Sequence, residues 1–133
     1  IASMICVGFV EEVIFRGLLF NAMRKDGLKS AVIVSSLTFG IGHIVNLFNG
    51  SGAQLLSNLC QVGYATAIGF LFVILFLKTG SLIPCIVTHS TVNALSVFAN
   101  EGGITVAQEI FSAVAIAVIA LAYSVYLLKK LPK

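Results

Sequence analysis

The sequence predicts an all-α fold, a polytopic transmembrane helix bundle of about five membrane helices. The chain is 59% hydrophobic and only 10% charged, has no Trp, and reaches a mean hydropathy of +1.07, values no ordinary soluble domain shows. Turn residues cut it into apolar stretches near residues 1–22, 30–48, 54–77, 82–99 and 104–128. Most of these are long enough to cross a hydrocarbon layer of about 30 Å at 1.5 Å per residue, and backbone satisfaction in lipid favours helices.

The first stretch (1–22) carries no charged side chain except Glu11, Glu12 and Arg16. Each charge at a bilayer centre costs about 2.5–3.5 kcal/mol against a return of about 0.3–0.6 kcal/mol per apolar residue, so this helix needs partners. It is no signal peptide, because it lacks a basic leader and has acids where an apolar region should run. Asp26-Gly27 closes it. The second stretch (30–48) contains Phe39, Gly40, Gly42, His43 and Asn46 and ends at Asn49-Gly50-Ser51-Gly52. The third (54–77) pairs small residues, Gly63 with Ala67 and Ala65 with Gly69, for close packing, and ends at Thr79-Gly80-Ser81. The fourth (82–99) carries His89 and Asn93 and ends at Asn100-Glu101-Gly102-Gly103. The fifth (104–128) is Ala/Val/Ile-rich, has Tyr123 and Tyr126 near its basic end, and reads as an anchor. The whole of 1–133 is thus one transmembrane domain with core catalytic helices in 1–99. Residue 1 is Ile, and the expectation is a fragment lacking upstream spans.

Basic residues set the orientation. Arg24, Lys25, Lys29, Lys78, Lys129, Lys130 and Lys133 all fall on one side of an alternately threaded five-helix chain, and Glu101 on the other. The positive-inside rule makes the basic side cytoplasmic. The formal charge of +3 is therefore a topology signal, with no basic patch of interleaved aromatics to read as a nucleic-acid surface. Short connectors lean the localisation toward a bacterial cell membrane. Cys6, Cys60 and Cys85 each sit inside an apolar run and read as small packing residues. Without an internal repeat, the inverted symmetry of many transporters has no support.

The remaining polar groups share a depth. Counted along each helix from Arg24, Lys29 and Lys78, residues Glu11, His43, His89 and Asn93 lie roughly 16–23 Å in, near the middle of the membrane. Glu12 and Arg16 stand at i and i+4 and make an ion pair, whereas Glu11 points about 100° away as the free carboxylate. His89 and Asn93 are also i and i+4, and Phe39, His43 and Asn46 form one stripe of the second helix, thinned by Gly40 and Gly42. Asn58, Gln61 and Tyr64 receive little weight, and Thr88, Ser90 and Thr91 are read as bonded back to their own helix.

One carboxylate, two imidazoles and an amide suit attack of water on a peptide carbonyl. Glu11 takes the proton of water, His43 positions that water or shares the acid/base role, and His89 and Asn93 donate to the oxyanion, with Glu12, Arg16, Phe39 and Asn46 in support. A zinc version has Glu11, His43 and His89 as ligands; it ranks second because no His-Glu-x-x-His helix is present. Two readings from other classes stay open: a proton-coupled carrier relaying through Glu11, His43 and His89, and a non-catalytic binding or regulatory protein, such as an immunity protein or sensor-kinase modulator.

EEVIFR (11–16), FGIGH (39–43) and HSTVN (89–93) together resemble the EExxxR, FxxxH and HxxxN motifs of the CPBP intramembrane proteases, the Abi or CAAX-protease family. The resemblance spans about residues 8–98, with no departure inside the motifs. It implies an intramembrane endopeptidase in which Glu11 and His43 activate water, His89 and Asn93 form the oxyanion hole, and Glu12 and Arg16 support the site. The family has been described both as metal-dependent and as metal-free, so zinc stays open. The implied partners are a peptide or protein substrate, entering from the membrane or the cytoplasmic side, and the lipid bilayer.

Overall fold

A computed structural model of the chain describes residues 2–49, 54–99 and 103–130. The predicted turn at 50–52, the 100–102 part of the last connector and the terminal 131–133 lie outside the described residues. All five apolar stretches are helical, and no strand occurs among the described residues. The first rod is α1 (Ala2–Glu12), widening into a π-helical stretch (Val13–Phe20) and closing with α2 (Asn21–Met23). Next come α3 (Leu28–Gly42), tightened at its end into a 3-10 turn (His43–Leu47), then α4 (Leu55–Thr79), α5 (Ile83–Ala99) and α6 (Val106–Lys130).

By length and composition, three segments are able to cross a membrane: Leu28–Leu47, Leu55–Thr79 and Val106–Lys130. The other two rods fall short for physical reasons. The first carries Glu11, Glu12 and Arg16, and α5 has only 17 residues, about 25 Å of helix. Large apolar side chains such as Leu18, Phe48, Leu95, Phe111 and Ile119 are exposed, an exposure suited to lipid rather than water.

The termini follow local chemistry. Gly80 takes a left-handed conformation (φ 67°) and its N–H closes on Phe76 O at 2.8 Å, ending α4. Thr105 and Gln108 exchange bonds at the start of α6, where Thr105 N–H donates to Gln108 Oε1 (2.9 Å) and Gln108 N–H to Thr105 Oγ1 (3.3 Å).

Packing runs α1 on α5, α3 on α4 and α4 on α6. Two glycines set the first two crossings. A Cβ on Gly8 would meet Ser90 within 2.7–3.0 Å, and one on Gly40 would collide with Thr66. Ser90 Oγ also donates across the first crossing to Ile5 O (3.0 Å), so it bonds a neighbouring helix rather than its own; Thr91 does bond back, to Val87 O (2.7 Å). Not every small residue serves this purpose. Nothing lies within 4 Å of a Cβ placed on Gly63, and one on Gly42 meets only Phe15 at 3.9 Å, so close approach rests on Gly40 and Gly69 instead. Beneath the crossings Phe20, Ala31, Phe72, Val73, Phe76 and Cys85 form the buried cluster, with the Cys85 thiol donating to Phe72 O at 3.4 Å.

Gly40→Ala is expected to lose about 1–3 kcal/mol through overpacking against Thr66, whereas Gly63→Ala is expected to hold or raise stability by about 0.5–1 kcal/mol, since glycine is a poor helix former. Thermal unfolding of the two variants in detergent checks the contrast.

Candidate active site

The crossing at Gly8 and Ser90 brings the carboxylates to the histidine. Glu11 and Glu12 lie one turn beyond Gly8, and His89 directly precedes Ser90. Glu12 and Arg16 are wholly buried, with Arg16 Nη1 donating to Glu12 Oε1 at 3.1 Å. The second guanidinium nitrogen, Nη2, donates to Gly69 O at 2.9 Å, and the group lies 4.3 Å from the Phe39 ring centroid and 5.3 Å from that of Phe72. Gly69 is what admits it: a Cβ there would meet Nη2 at 3.3 Å and the Phe39 ring at 3.0 Å.

Glu12 has a second partner that its helical spacing does not disclose. His89 Nδ1 donates to the same Oε1 at 2.8 Å. The other ring nitrogen, Nε2, faces Glu11 Oε2 at 3.5 Å, an ionic contact longer than a good hydrogen bond. Glu11 is partly open: its side chain is 30% exposed, beside a shallow groove lined by Cys6, Val7 and Val10. Its Oε2 is buried without a hydrogen-bond partner among the described residues.

His43 is positioned by a change of helix type. Where α3 tightens, the His43 N–H bonds to Gly40 O and Ile41 O, which leaves Phe39 O, its α-helical acceptor, available. The His43 ring takes that carbonyl through Nδ1 at 2.9 Å. A carbonyl only accepts, so Nδ1 carries the proton and the neutral ring presents a lone pair at Nε2. The Phe39 ring stands edge-on to both imidazoles, with centroids 5.3 Å from His43 and 5.4 Å from His89.

The structure thus gathers Glu11, Glu12, Arg16, Phe39 and His89 in direct contact and sets His43 against the same Phe39 ring. Asn93 is half-buried one turn along α5 from His89, and among the described residues its amide makes no bond to the network. Asn46 turns to α4, donating to Gln61 Oε1 at 3.0 Å and accepting from Asn49 at 3.2 Å, away from the carboxylates. Among the described residues no three His, Cys, Asp or Glu side chains gather closely enough to hold a metal ion. Glu11, His43 and His89 are accordingly not such a group. Sequence reasoning missed the Glu12–His89 bond, for which spacing has no signal, and gave too little weight to Asn58, whose amide donates to His43 O at 2.8 Å. An amide inside the apolar run 54–77 was the available clue.

A comparison with family models matches residues 1–95 to the Rce1-like type II CAAX prenyl endopeptidases. The chain belongs to this family. No curated protein and no solved structure matches it. Membership makes the chain a membrane protein of a CAAX-type intramembrane protease family, whose substrates are peptides or proteins met at the bilayer.

For any member built this way, Arg16→Met strands a buried carboxylate, and an expected loss of about 3–5 kcal/mol follows. Adding Glu12→Gln removes that stranded charge while keeping an acceptor for His89, so the double variant is expected to be more stable than Arg16→Met alone. Unfolding of the variants in a double-mutant cycle measures the difference.

Proposed function

We propose that the chain hydrolyses a peptide bond within the membrane, with water activated by Glu11 and His43 and the oxyanion held by His89 and Asn93. The observation that carries this is the Glu11 carboxylate, partly open and 3.5 Å from the His89 ring, which in turn shares the Phe39 ring with His43. The buried carboxylate oxygen without a partner is a suitable acceptor for a proton from water.

In this reading water attacks the carbonyl carbon as its proton passes to Glu11 Oε2, and the lone pair on His43 Nε2 orients the same water. The oxyanion receives N–H bonds from His89 Nε2 and the Asn93 amide. Collapse of the tetrahedral intermediate breaks the C–N bond, and the proton held by Glu11 goes to the leaving amine. Because His89 Nδ1 already donates to Glu12, donation from Nε2 requires the doubly protonated ring. That form faces a carboxylate at each nitrogen, Glu12 Oε1 at 2.8 Å and Glu11 Oε2 at 3.5 Å. No step passes through a metal.

A prenylated CAAX peptide is the first substrate to test, since the family description names that class. The ends bearing Arg24, Lys25, Lys29, Lys78, Lys129 and Lys130 face the cytoplasm in this reading, which puts the carboxyl-terminal anchor α6 with its basic end inside.

Cleavage of a prenylated and an unprenylated peptide library by protein reconstituted in liposomes tests the proposal. Glu11→Ala and His43→Ala are expected to abolish product, Asn93→Ala to lower kcat by about 10²–10³-fold, and a chelator to change nothing. Native rates from Glu11→Ala would sink the hydrolytic reading, and loss of native activity on chelation would bring in a metal.

A further inference from the structure

We infer that Asn58 is a positioning residue for His43, and this rests on the role given to His43 above. Asn58 lies on α4, is 1% exposed, and donates its one described side-chain bond to the His43 carbonyl at 2.8 Å. Its Oδ1 is buried without a partner among the described residues. An amide with one end unsatisfied is a poor choice for packing in an apolar helix, where leucine fills the same space without that penalty. What the amide supplies is a single bond, made to the residue at which α3 changes to the 3-10 turn.

That change of helix type controls the imidazole. With the His43 N–H drawn to Gly40 O and Ile41 O, Phe39 O is left for the ring Nδ1. Were α3 to continue as an α-helix, the His43 N–H would reclaim Phe39 O and the ring would lose the acceptor that places the proton on Nδ1. Asn58 grips the backbone of His43 from the adjacent helix at the point of tightening. It thereby keeps the Nε2 lone pair turned outward from Phe39 O, toward the position water must occupy. The Phe39 ring does not perform this task, because it meets the His43 ring only edge to edge.

Two variants test it. Asn58→Leu removes the bond at similar volume, and Asn58→Asp keeps the shape while replacing the donating nitrogen with oxygen. In reconstituted protein both are expected to lower kcat about 10- to 100-fold, the scale of a small misplacement of a reacting group, with KM within twofold. The second readout needs no turnover: the sequence has two histidines, so 15N-histidine spectra contain two rings, assigned with a His89→Gln variant. The His43 signals are expected to move from one Nδ1–H tautomer to a mixture, with the His89 signals unchanged. A folded variant with native kcat and an unmoved His43 tautomer overturns the inference, as does failure of both variants to fold, which marks Asn58 as structural support alone. If the native protein cleaves nothing, the hydrolytic reading fails separately, and the tautomer spectra still decide the role of Asn58.

Discussion

A single carboxylate oxygen, Glu12 Oε1, ties three segments of the chain together. It accepts from Arg16 on its own rod and from His89 on α5, while Arg16 reaches on to the backbone of Gly69 on α4. Ions in a low-dielectric interior survive only when opposite charge and hydrogen bonds surround them. Here each partner needs the others. Arg16 without Glu12 is a bare cation, and Glu12 without Arg16 is a bare anion beside a second one. The apolar surface adds little between helices in lipid, since lipid tails are as apolar as leucine, so this polar knot and close van der Waals contact hold the first rod, α4 and α5 in register.

Close contact has its own requirement, which is the absence of side chains at the crossings. Gly8 lets α1 lie against the backbone of Ser90, and Gly40 lets α3 lie against Thr66. The polar groups then follow by helical arithmetic: Glu11 and Glu12 a turn above one crossing, His43 nearly a turn above the other. Gly69, a turn beyond Thr66, opens the slot that Arg16 fills. A rigid scaffold thus brings side chains from three helices around the Phe39 ring, and the distances between them are set by backbone contact rather than by flexible side chains.

Much of this was legible in the sequence, because the bilayer imposes strong and simple rules. Five apolar stretches separated by turn residues became five helical rods, and charge inside one of them announced a buried network. The pairing of Glu12 with Arg16 came directly from their i, i+4 spacing. What could not be read was the choice of long-range partner: Glu12 and Glu11 are adjacent, both are compatible with His89, and only the crossing angle of α1 on α5 decides which oxygen meets which ring nitrogen. The change of α3 to a 3-10 turn at His43 was hidden for a similar reason. Glycine at 40 and 42 weakens the helix without saying where it tightens, and Asn58, which bonds that point, lies on another helix.

The two histidines are alike in residue type and both stand against the Phe39 ring, yet the structure gives them different surroundings. Each donates from Nδ1, His43 to a neutral carbonyl and His89 to a carboxylate. Beside a carbonyl, the neutral form of the His43 ring has its proton on Nδ1 and an accepting Nε2. His89 has a carboxylate at Nδ1 and a second one facing Nε2, and a doubly protonated ring donates at both nitrogens. In the proposed hydrolysis two copies of one side chain, with the same nitrogen tethered, serve as an acceptor and a donor. Hydrolysis of an amide needs both, one group to orient the entering water and another to hold the oxygen that becomes negative.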